Sequence, residues 1–251
     1  MRCSPRAFSS MDALARNARG QHRLGAAMRE TRCATVPPRH RVPYTAPMLD
    51  EAVAGVLKLS KEWAFPVSEE TCERVANYLT LLLQWNQRVN LTGARELREL
   101  LGDHLPDSFA LARLSPQGAS VVDIGSGGGL PSLPFAILRP DCHVTMVEPR
   151  AKRIAFLNMA VRSCACDFVK VVRGRLEDLP HSAYLVAASR ATFSPQDWLQ
   201  LAPELLVSGG IAVVFAVDPV DAGPSPVRLV DSIQYRTASG TPRWSGSFCF
   251  T

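Results

Sequence analysis

The stretch that most constrains the fold runs from Ala119 to Pro131 and reads Ala-Ser-Val-Val-Asp-Ile-Gly-Ser-Gly-Gly-Gly-Leu-Pro. The apolar, β-branched run from Val121 to Ile124 is typical of a buried strand. A glycine cluster follows it, and Pro131 stands where the first turn of a helix can begin. This stretch therefore predicts a strand, a tight loop and a helix in succession.

The glycines of this loop indicate a ligand site. Gly125, Gly127 and Gly129 lack a Cβ atom, so the backbone can adopt positive φ and a ligand can lie against the main chain. The dinucleotide fingerprint needs a glycine five residues after its first, where this chain has Leu130. That departure disfavours an NAD-dependent dehydrogenase. A glycine turn without ligand, as in any α/β protein, is the alternative interpretation.

An acidic residue follows the loop at the spacing expected for a nucleotide site. The run His143 to Val147 predicts a second strand, and it ends in Glu148, twenty-three residues after Gly125. A carboxylate there can accept hydrogen bonds from two hydroxyls of a ribose that carries no 2′-phosphate. The pattern therefore favours a cofactor that contains adenosine.

Strands and helices alternate after this point, which predicts an α/β fold with a mostly parallel, twisted sheet covered by helices on both faces. The predicted strands span 119–124, 143–147, 168–172, 184–188 and 211–217, and the predicted helices span 131–138, 150–163 and 195–207. Two further strands are expected at 227–233 and 245–250. The carboxyl ends of the parallel strands would gather the glycine loop, Glu148, residues 174–177 and residues 189–190 on one rim.

Residues 48–114 are predicted to form an N-terminal helical segment ahead of the cofactor-binding domain at 115–251. Ser68 followed by two acids is typical of a helix N-terminus, and apolar residues then recur at three- and four-residue steps. A stop is expected between Trp85 and Gly93. Another helix is expected from about Arg95 to Leu114, with a kink or restart at Pro106.

Residues 1–47 are rich in arginine, with nine Arg against Asp12 and Glu30, so they carry +7 while the rest of the chain sums to −2. We interpret them as a disordered leader that is dispensable or misassigned, with translation starting at Met48. An RNA-contacting tail and a targeting sequence are the alternatives. No apolar stretch approaches the roughly 18 residues that span a bilayer, so we expect a cytoplasmic protein without membrane contact.

Cysteine and histidine give no sign of a metal site. The seven Cys form no C-x-x-C pair, and the five His are scattered along the chain. We therefore expect reduced thiols and no metal.

Further motifs stand in order around the glycine loop. They are Trp85-Asn86, Asn90-Leu-Thr92, His104, Asp107-Ser108, Arg139-Pro140, Lys152-Arg153, Gly174-Arg175-Leu-Glu177 and Ser189-Arg190-Ala191. With them the chain resembles, over about Leu49 to Phe215, the bacterial small-subunit ribosomal RNA guanine-N7 methyltransferases, also called glucose-inhibited division protein B. The resemblance implies a class I methyltransferase fold, S-adenosyl-L-methionine as cofactor, and methylation of N7 of a guanine in 16S ribosomal RNA or the small ribosomal subunit.

The resemblance also implies roles for individual residues. Arg175 and Arg190 would face the guanine or its phosphates as the catalytic residues, because a guanidinium is a donor fork that suits guanine O6 and phosphate oxygens. The alternative for each is a structural ion pair with Glu177, Asp178 or Asp123. The implied cofactor-binding residues are Asp123, Gly125, Ser126, Gly127, Gly129, Leu130, Glu148, Leu176, Glu177 and Arg190.

Two features leave alternatives open. His104, Asp107 and Ser108 either close over the cofactor or the base, or cap and brace helices near the loop. Where the family pattern has Lys-Gly after the fifth strand, this chain has Val217-Asp218-Pro219. A methyltransferase of small molecules and a degenerate, non-catalytic paralogue are therefore the competing functions. We expect a monomer in each case.

Overall fold

A computed structural model describes residues 46–221 and 227–250. Its first helix, α1 (Ala46–Glu62), begins two residues inside the predicted leader, and the rest of that leader lies outside the described residues. The next helix is α2 (Glu69–Asn86). Ser68 caps α2 as predicted, because its side chain accepts a hydrogen bond from the backbone N–H of Thr71 at 3.2 Å.

The predicted helix at 95–114 is broken into three pieces. They are α3 (Leu97–Glu99), a π-helical turn (Leu100–His104) and α4 (Pro106–Leu114). The restart at Pro106 is confirmed, since a proline is accommodated at the first turn of a helix but not in its interior. The π-turn was not predicted, and such turns occur frequently at functional sites.

The body is a single seven-stranded sheet with three more helices. Its strands are β1 (Ser120–Ile124), β2 (His143–Glu148), β3 (Val169–Arg173), β4 (Tyr184–Ser189), β5 (Leu206–Ala216), β6 (Val227–Arg236) and β7 (Pro242–Phe250). The helices between them are α5 (Ser132–Leu138), α6 (Ala151–Ser163) and α7 (Pro195–Leu201). The strand order is β3-β2-β1-β4-β5-β7-β6, with β1 to β5 parallel and the β6–β7 hairpin antiparallel. The predicted class I fold, a Rossmann-like and mostly parallel sheet, is confirmed.

The boundary between α7 and β5 differs from the prediction. The helix expected to reach residue 207 ends at Leu201, and a 3₁₀ turn (Ala202–Leu205) follows. Pro203 lacks the N–H that would continue the α-helix. The strand expected at 211 begins at Leu206, since a register shift before Val186 lets Tyr184 pair with Leu206. The period of apolar residues does not reveal such a bulge.

Both faces of the sheet are covered. Because neighbouring residues of a strand point to opposite faces, their side chains belong to different cores. Val121 belongs to a core that includes α1, α2, α4, α5 and α6, whereas Val122 belongs to a second core with α7 and Phe248. The N-terminal helices therefore share a core with the sheet. None of the described helices is long and apolar enough to cross a membrane.

Candidate functional site

The glycine loop joins β1 to α5 at the carboxyl ends of the parallel strands, as predicted. Gly125, Gly127 and Gly129 have φ of +77°, +58° and +89°, which side chains rarely tolerate. The N–H groups of Gly125 and Ser126 donate to the carbonyl of Val147 at 2.9 and 3.0 Å. These two bonds fix the loop to the end of β2.

The surroundings of the loop require glycine for packing reasons as well. A Cβ on Gly125 would collide with the side chain of Thr192, and one on Gly129 would come within 3.1 Å of Leu157 and 3.3 Å of the Tyr78 hydroxyl. At Gly127 the nearest atom is 3.7 Å away, on Arg153. The loop is therefore tightly packed on two sides and more open at Gly127.

Glu148 ends β2 and points at the loop. Its side chain is 3% exposed. One carboxylate oxygen, Oε2, accepts from the N–H of Gly127 at 3.1 Å and lies 3.5 Å from Nη1 of Arg153. The other, Oε1, accepts from the N–H of Arg150 at 2.9 Å. Each carboxylate oxygen has about two lone-pair sites, so Oε1, which accepts one hydrogen bond, retains one for a ligand.

Asp123, next to the end of β1, holds a buried oxygen without a partner. Its Oδ2 atom makes no hydrogen bond among the described residues, while Ser126 donates its hydroxyl to the Asp123 backbone carbonyl at 3.0 Å. Burial raises the pKa of Asp123 to about 6. A buried polar atom without a hydrogen-bond partner is uncommon. We therefore expect a donor from a bound ligand at this atom.

The N-terminal helical segment forms one wall of the site. The hydroxyl of Tyr78 on α2 donates to the carbonyl of Gly128 at 2.6 Å. Asn86 accepts from the N–H groups of Leu91 and Thr92 at 2.9 and 3.0 Å, and thus folds the chain after α2 back toward the loop. The helix α2 therefore ends at Asn86, within the stretch from Trp85 to Gly93 where a stop was predicted. No site role was predicted for Tyr78, although its hydroxyl on an otherwise apolar stripe was an available signal.

Arg190 follows β4 and forms an ion pair with Asp107. Its Nη1 atom lies 2.7 Å from Oδ2 of Asp107, and its Nη2 atom lies 3.5 Å from Nδ1 of His104. A guanidinium only donates, so Nδ1 of His104 can take part in this contact only as an acceptor. Burial, and then the charge of Arg190, lower the pKa of His104. The sequence predicted an ion pair with Glu177, Asp178 or Asp123 as the alternative for Arg190, and the partner is a different acid.

Tyr235 completes this cluster from the C-terminal hairpin. Its hydroxyl donates to Oδ1 of Asp107 at 2.6 Å. Nothing in the sequence marked Tyr235, because the pairing of β6 with β7 and the docking of the hairpin beside α4 are tertiary events. The structure thus brings His104, Asp107 and Arg190 together, which the sequence did not predict, and adds a tyrosine.

The predicted residues after β3 lie on the other side of the loop. Arg175 and Glu177 are exposed, whereas Leu176 is 7% exposed and belongs to the same core as Ile124 and Val147. Three strand spacings of about 4.8 Å separate β3 from β4 in the sheet. The structure therefore places Arg175 and Arg190 on opposite sides of the glycine loop.

The site has the features that S-adenosyl-L-methionine requires. The positive φ angles let the backbone lie close to a ligand, and Glu148 has acceptor capacity for ribose hydroxyls. The buried Oδ2 atom of Asp123 has no hydrogen-bond partner among the described residues. The ammonium group of the cofactor's methionine carries N–H donors of the kind that this atom lacks. Among the described residues, no three His, Cys, Asp or Glu side chains gather as metal ligands do.

Comparison with known proteins assigns the family. Residues 71–217 match the family model of rRNA small subunit methyltransferase G. The protein of that name from Neisseria gonorrhoeae is 35% identical over 144 residues, which are 57% of this chain and 70% of that protein. Those from Leptothrix cholodnii and Wolinella succinogenes are 36% and 38% identical over 65% and 58% of this chain, and 76% and 75% of their own lengths. This chain therefore belongs to the rRNA small subunit methyltransferase G family.

Proposed function

We propose that this protein transfers a methyl group from S-adenosyl-L-methionine to N7 of a guanine in 16S ribosomal RNA. The observation that carries the proposal is the glycine loop at the end of β1, with the Glu148 carboxylate bonded to Gly127 at 3.1 Å, in a chain of this family. When bound, the cofactor supplies a methyl group activated by a positively charged sulfur.

The residues of the loop would hold the adenosine end of the cofactor. Glu148 accepts hydrogen bonds from the ribose hydroxyls, and the glycine backbone allows close approach. Leu130 and Leu176, each 7% exposed, provide apolar surface beside the loop and after β3. Asp123 offers its buried Oδ2 atom as an acceptor, and Ser126 bonds to the backbone carbonyl of Asp123 at 3.0 Å.

Methylation at N7 needs alignment more than proton transfer. The N7 atom of guanine has an in-plane lone pair and no proton, so neither an acid nor a base is required. Arg190 keeps N–H groups that have no acceptor among the described residues, and a guanidinium fork suits guanine O6. Arg175 is exposed on the other side of the loop, where a phosphate of the RNA can reach it.

The modification is tested in the cell of origin. We expect ribosomal RNA from a strain that lacks the gene to lose one 7-methylguanosine from the small subunit, as measured by nuclease digestion and mass spectrometry. An unchanged content of 7-methylguanosine would refute the proposal.

One observation favours a second candidate, a methyltransferase of small molecules. Residues 48–251 carry a net charge of −2, and Asp218 stands after β5. The affinity of a protein for RNA depends on the Lys and Arg side chains that contact the phosphates. If purified protein methylates small ribosomal subunits, this candidate falls. We further propose that the protein is monomeric and cytoplasmic. Light scattering of the purified protein tests whether it is a monomer.

A further inference from the structure

Asp107 joins three separate parts of the chain. Its two oxygens are both occupied, Oδ2 by Nη1 of Arg190 at 2.7 Å and Oδ1 by the hydroxyl of Tyr235 at 2.6 Å. Tyr235 is itself held in place by Ser245, whose Oγ atom lies 3.2 Å from the tyrosine hydroxyl, and by the ring of Trp63, with centroids 5.1 Å apart. Asp107 therefore has a fixed orientation.

This arrangement is buried on one side and open on the other. The Asp107 side chain is 6% exposed, whereas that of Arg190 is 20% exposed. Removing an ion pair from water carries a desolvation cost that the attraction between its members does not always repay. A pair kept at the rim of a ligand site is therefore a candidate for a role in function.

The cluster has no net charge, although it presents N–H donors. The positive charge of Arg190 is balanced by the carboxylate of Asp107 at 2.7 Å. Burial and the charge of Arg190 lower the pKa of His104, so its imidazole is neutral at pH 7. Burial and the charge of Asp107 raise the pKa of Tyr235, so its phenol keeps its proton.

The charge balance of the proposed reaction explains why the neutrality of this cluster matters. The N7 lone pair of guanine forms a bond to the methyl carbon, the bond from that carbon to sulfur breaks, and its electron pair stays on sulfur. No proton moves, and the positive charge passes from sulfur to the purine. A bare guanidinium beside the purine opposes that charge, especially where water is excluded.

We propose, on the basis of the function proposed above, that Asp107 is a positioning residue that neutralises Arg190, and that Tyr235 orients Asp107. Arg190 can then hold the guanine by hydrogen bonds without repelling the cation that forms on it. Tyr235 lies beyond the segment that matches the family model, which ends at residue 217. The C-terminal hairpin thus contributes to the site.

The test compares RNA binding with methyl transfer in the full-length protein. Asp107→Asn keeps the shape of the side chain but leaves Arg190 with an unbalanced charge. We expect it to bind small ribosomal subunits at least as tightly as wild type, measured with S-adenosylhomocysteine present, while the single-turnover rate falls by about tenfold or more. The affinity for S-adenosyl-L-methionine, measured by calorimetry, stays within about twofold, because the two oxygens of Asp107 bond to Arg190 and Tyr235 and not to the glycine loop.

Two further variants separate this role from simple folding. Tyr235→Phe removes only the hydroxyl and is expected to slow transfer by several-fold, with both affinities unchanged. Asp141→Asn is the matched control, because Asp141 forms an ion pair of 2.8 Å with Arg139 at the amino end of β2, away from the loop. Thermal melting of each variant shows whether it folds.

The outcomes are distinct. An Asp107→Asn protein that transfers methyl groups at the wild-type rate overturns this inference, and so does a loss of rate accompanied by an equal loss of both affinities. If Asp107→Asn does not fold, a wild-type rate in Tyr235→Phe overturns the role of the hairpin. A wild-type protein that transfers no methyl group to subunits refutes the proposed function instead.

Discussion

The hydroxyl of Tyr78 donates a 2.6 Å hydrogen bond to the carbonyl oxygen of Gly128. Tyr78 is fully buried on α2, and burial raises its pKa well above the ordinary value, so the phenol remains a donor at neutral pH. A helix that precedes the sheet in sequence thus fixes the loop that is proposed to hold the cofactor.

Tyr78→Phe is expected to lower the free energy of unfolding by about 1–3 kcal/mol, because the Gly128 carbonyl would lose its donor in a buried position. We also expect weaker binding of S-adenosyl-L-methionine, since the loop loses a restraint. Chemical denaturation and calorimetry measure the two effects. Tyr184→Phe, at the amino end of β4, serves as the control, and an unchanged cofactor affinity in Tyr78→Phe would show that the loop does not depend on this bond.

Glu148→Ala is expected to weaken the binding of S-adenosyl-L-methionine by about 1–3 kcal/mol, through loss of hydrogen bonds to a charged acceptor. Glu148→Gln keeps one acceptor and should lose less. Calorimetry at neutral pH gives both values, with Glu204→Gln, at an exposed residue of the 3₁₀ turn, as the control. Wild-type affinity in Glu148→Ala would remove Glu148 from the ribose site.

Arg190→Ala is expected to leave cofactor binding intact and to depress methyl transfer, because the guanine loses its donor fork. Arg190→Lys keeps the charge but not the planar fork, so it should restore little of the rate. Arg190→Ala also leaves the Oδ2 atom of Asp107 without its hydrogen-bond donor, so a lower free energy of unfolding is expected as well. Equal losses of cofactor affinity and transfer rate would indicate a structural role instead.

Arg175→Ala offers a contrast on the other side of the loop. Arg175 is exposed; its backbone N–H donates to Oδ2 of Asp178 at 2.9 Å, and its backbone carbonyl accepts from the N–H of Asp178 at 3.2 Å. We expect no change in stability and a higher KM for the ribosomal subunit, with the salt dependence of RNA binding reduced. A fall in kcat at unchanged KM would contradict a role in phosphate contact.

The pKa of Asp123 predicts a dependence of stability on pH. Because this pKa is raised to about 6 in the folded protein, the folded state binds a proton more tightly than the unfolded chain does. The free energy of unfolding should therefore fall as pH rises from about 4 to 6, by about 2–3 kcal/mol from this group. Asp123→Asn should lack this component, so its stability relative to wild type should increase between pH 4 and pH 7.5. Denaturation at both pH values measures the difference, and parallel pH profiles of the two proteins would contradict the assignment.

The sequence was most informative where the site is local. The strand before Gly125, the glycine loop and the acid at the end of β2 lie within one short segment, so their pattern predicted both position and chemistry. The ion-pair partners predicted for Arg190 were wrong. Its partner is Asp107, which is 83 residues away in the chain, and no local pattern links the two. Tyr235, 128 residues from Asp107, was missed for the same reason.

Methyl transfer is tested most directly with purified protein, labelled S-adenosyl-L-methionine and small ribosomal subunits from a strain that lacks the modification. We expect transfer of one methyl group for each subunit, recovered as 7-methylguanosine, and weaker cofactor binding in Glu148→Ala. Absence of transfer to the subunits, or label recovered on another atom, would contradict the proposed function.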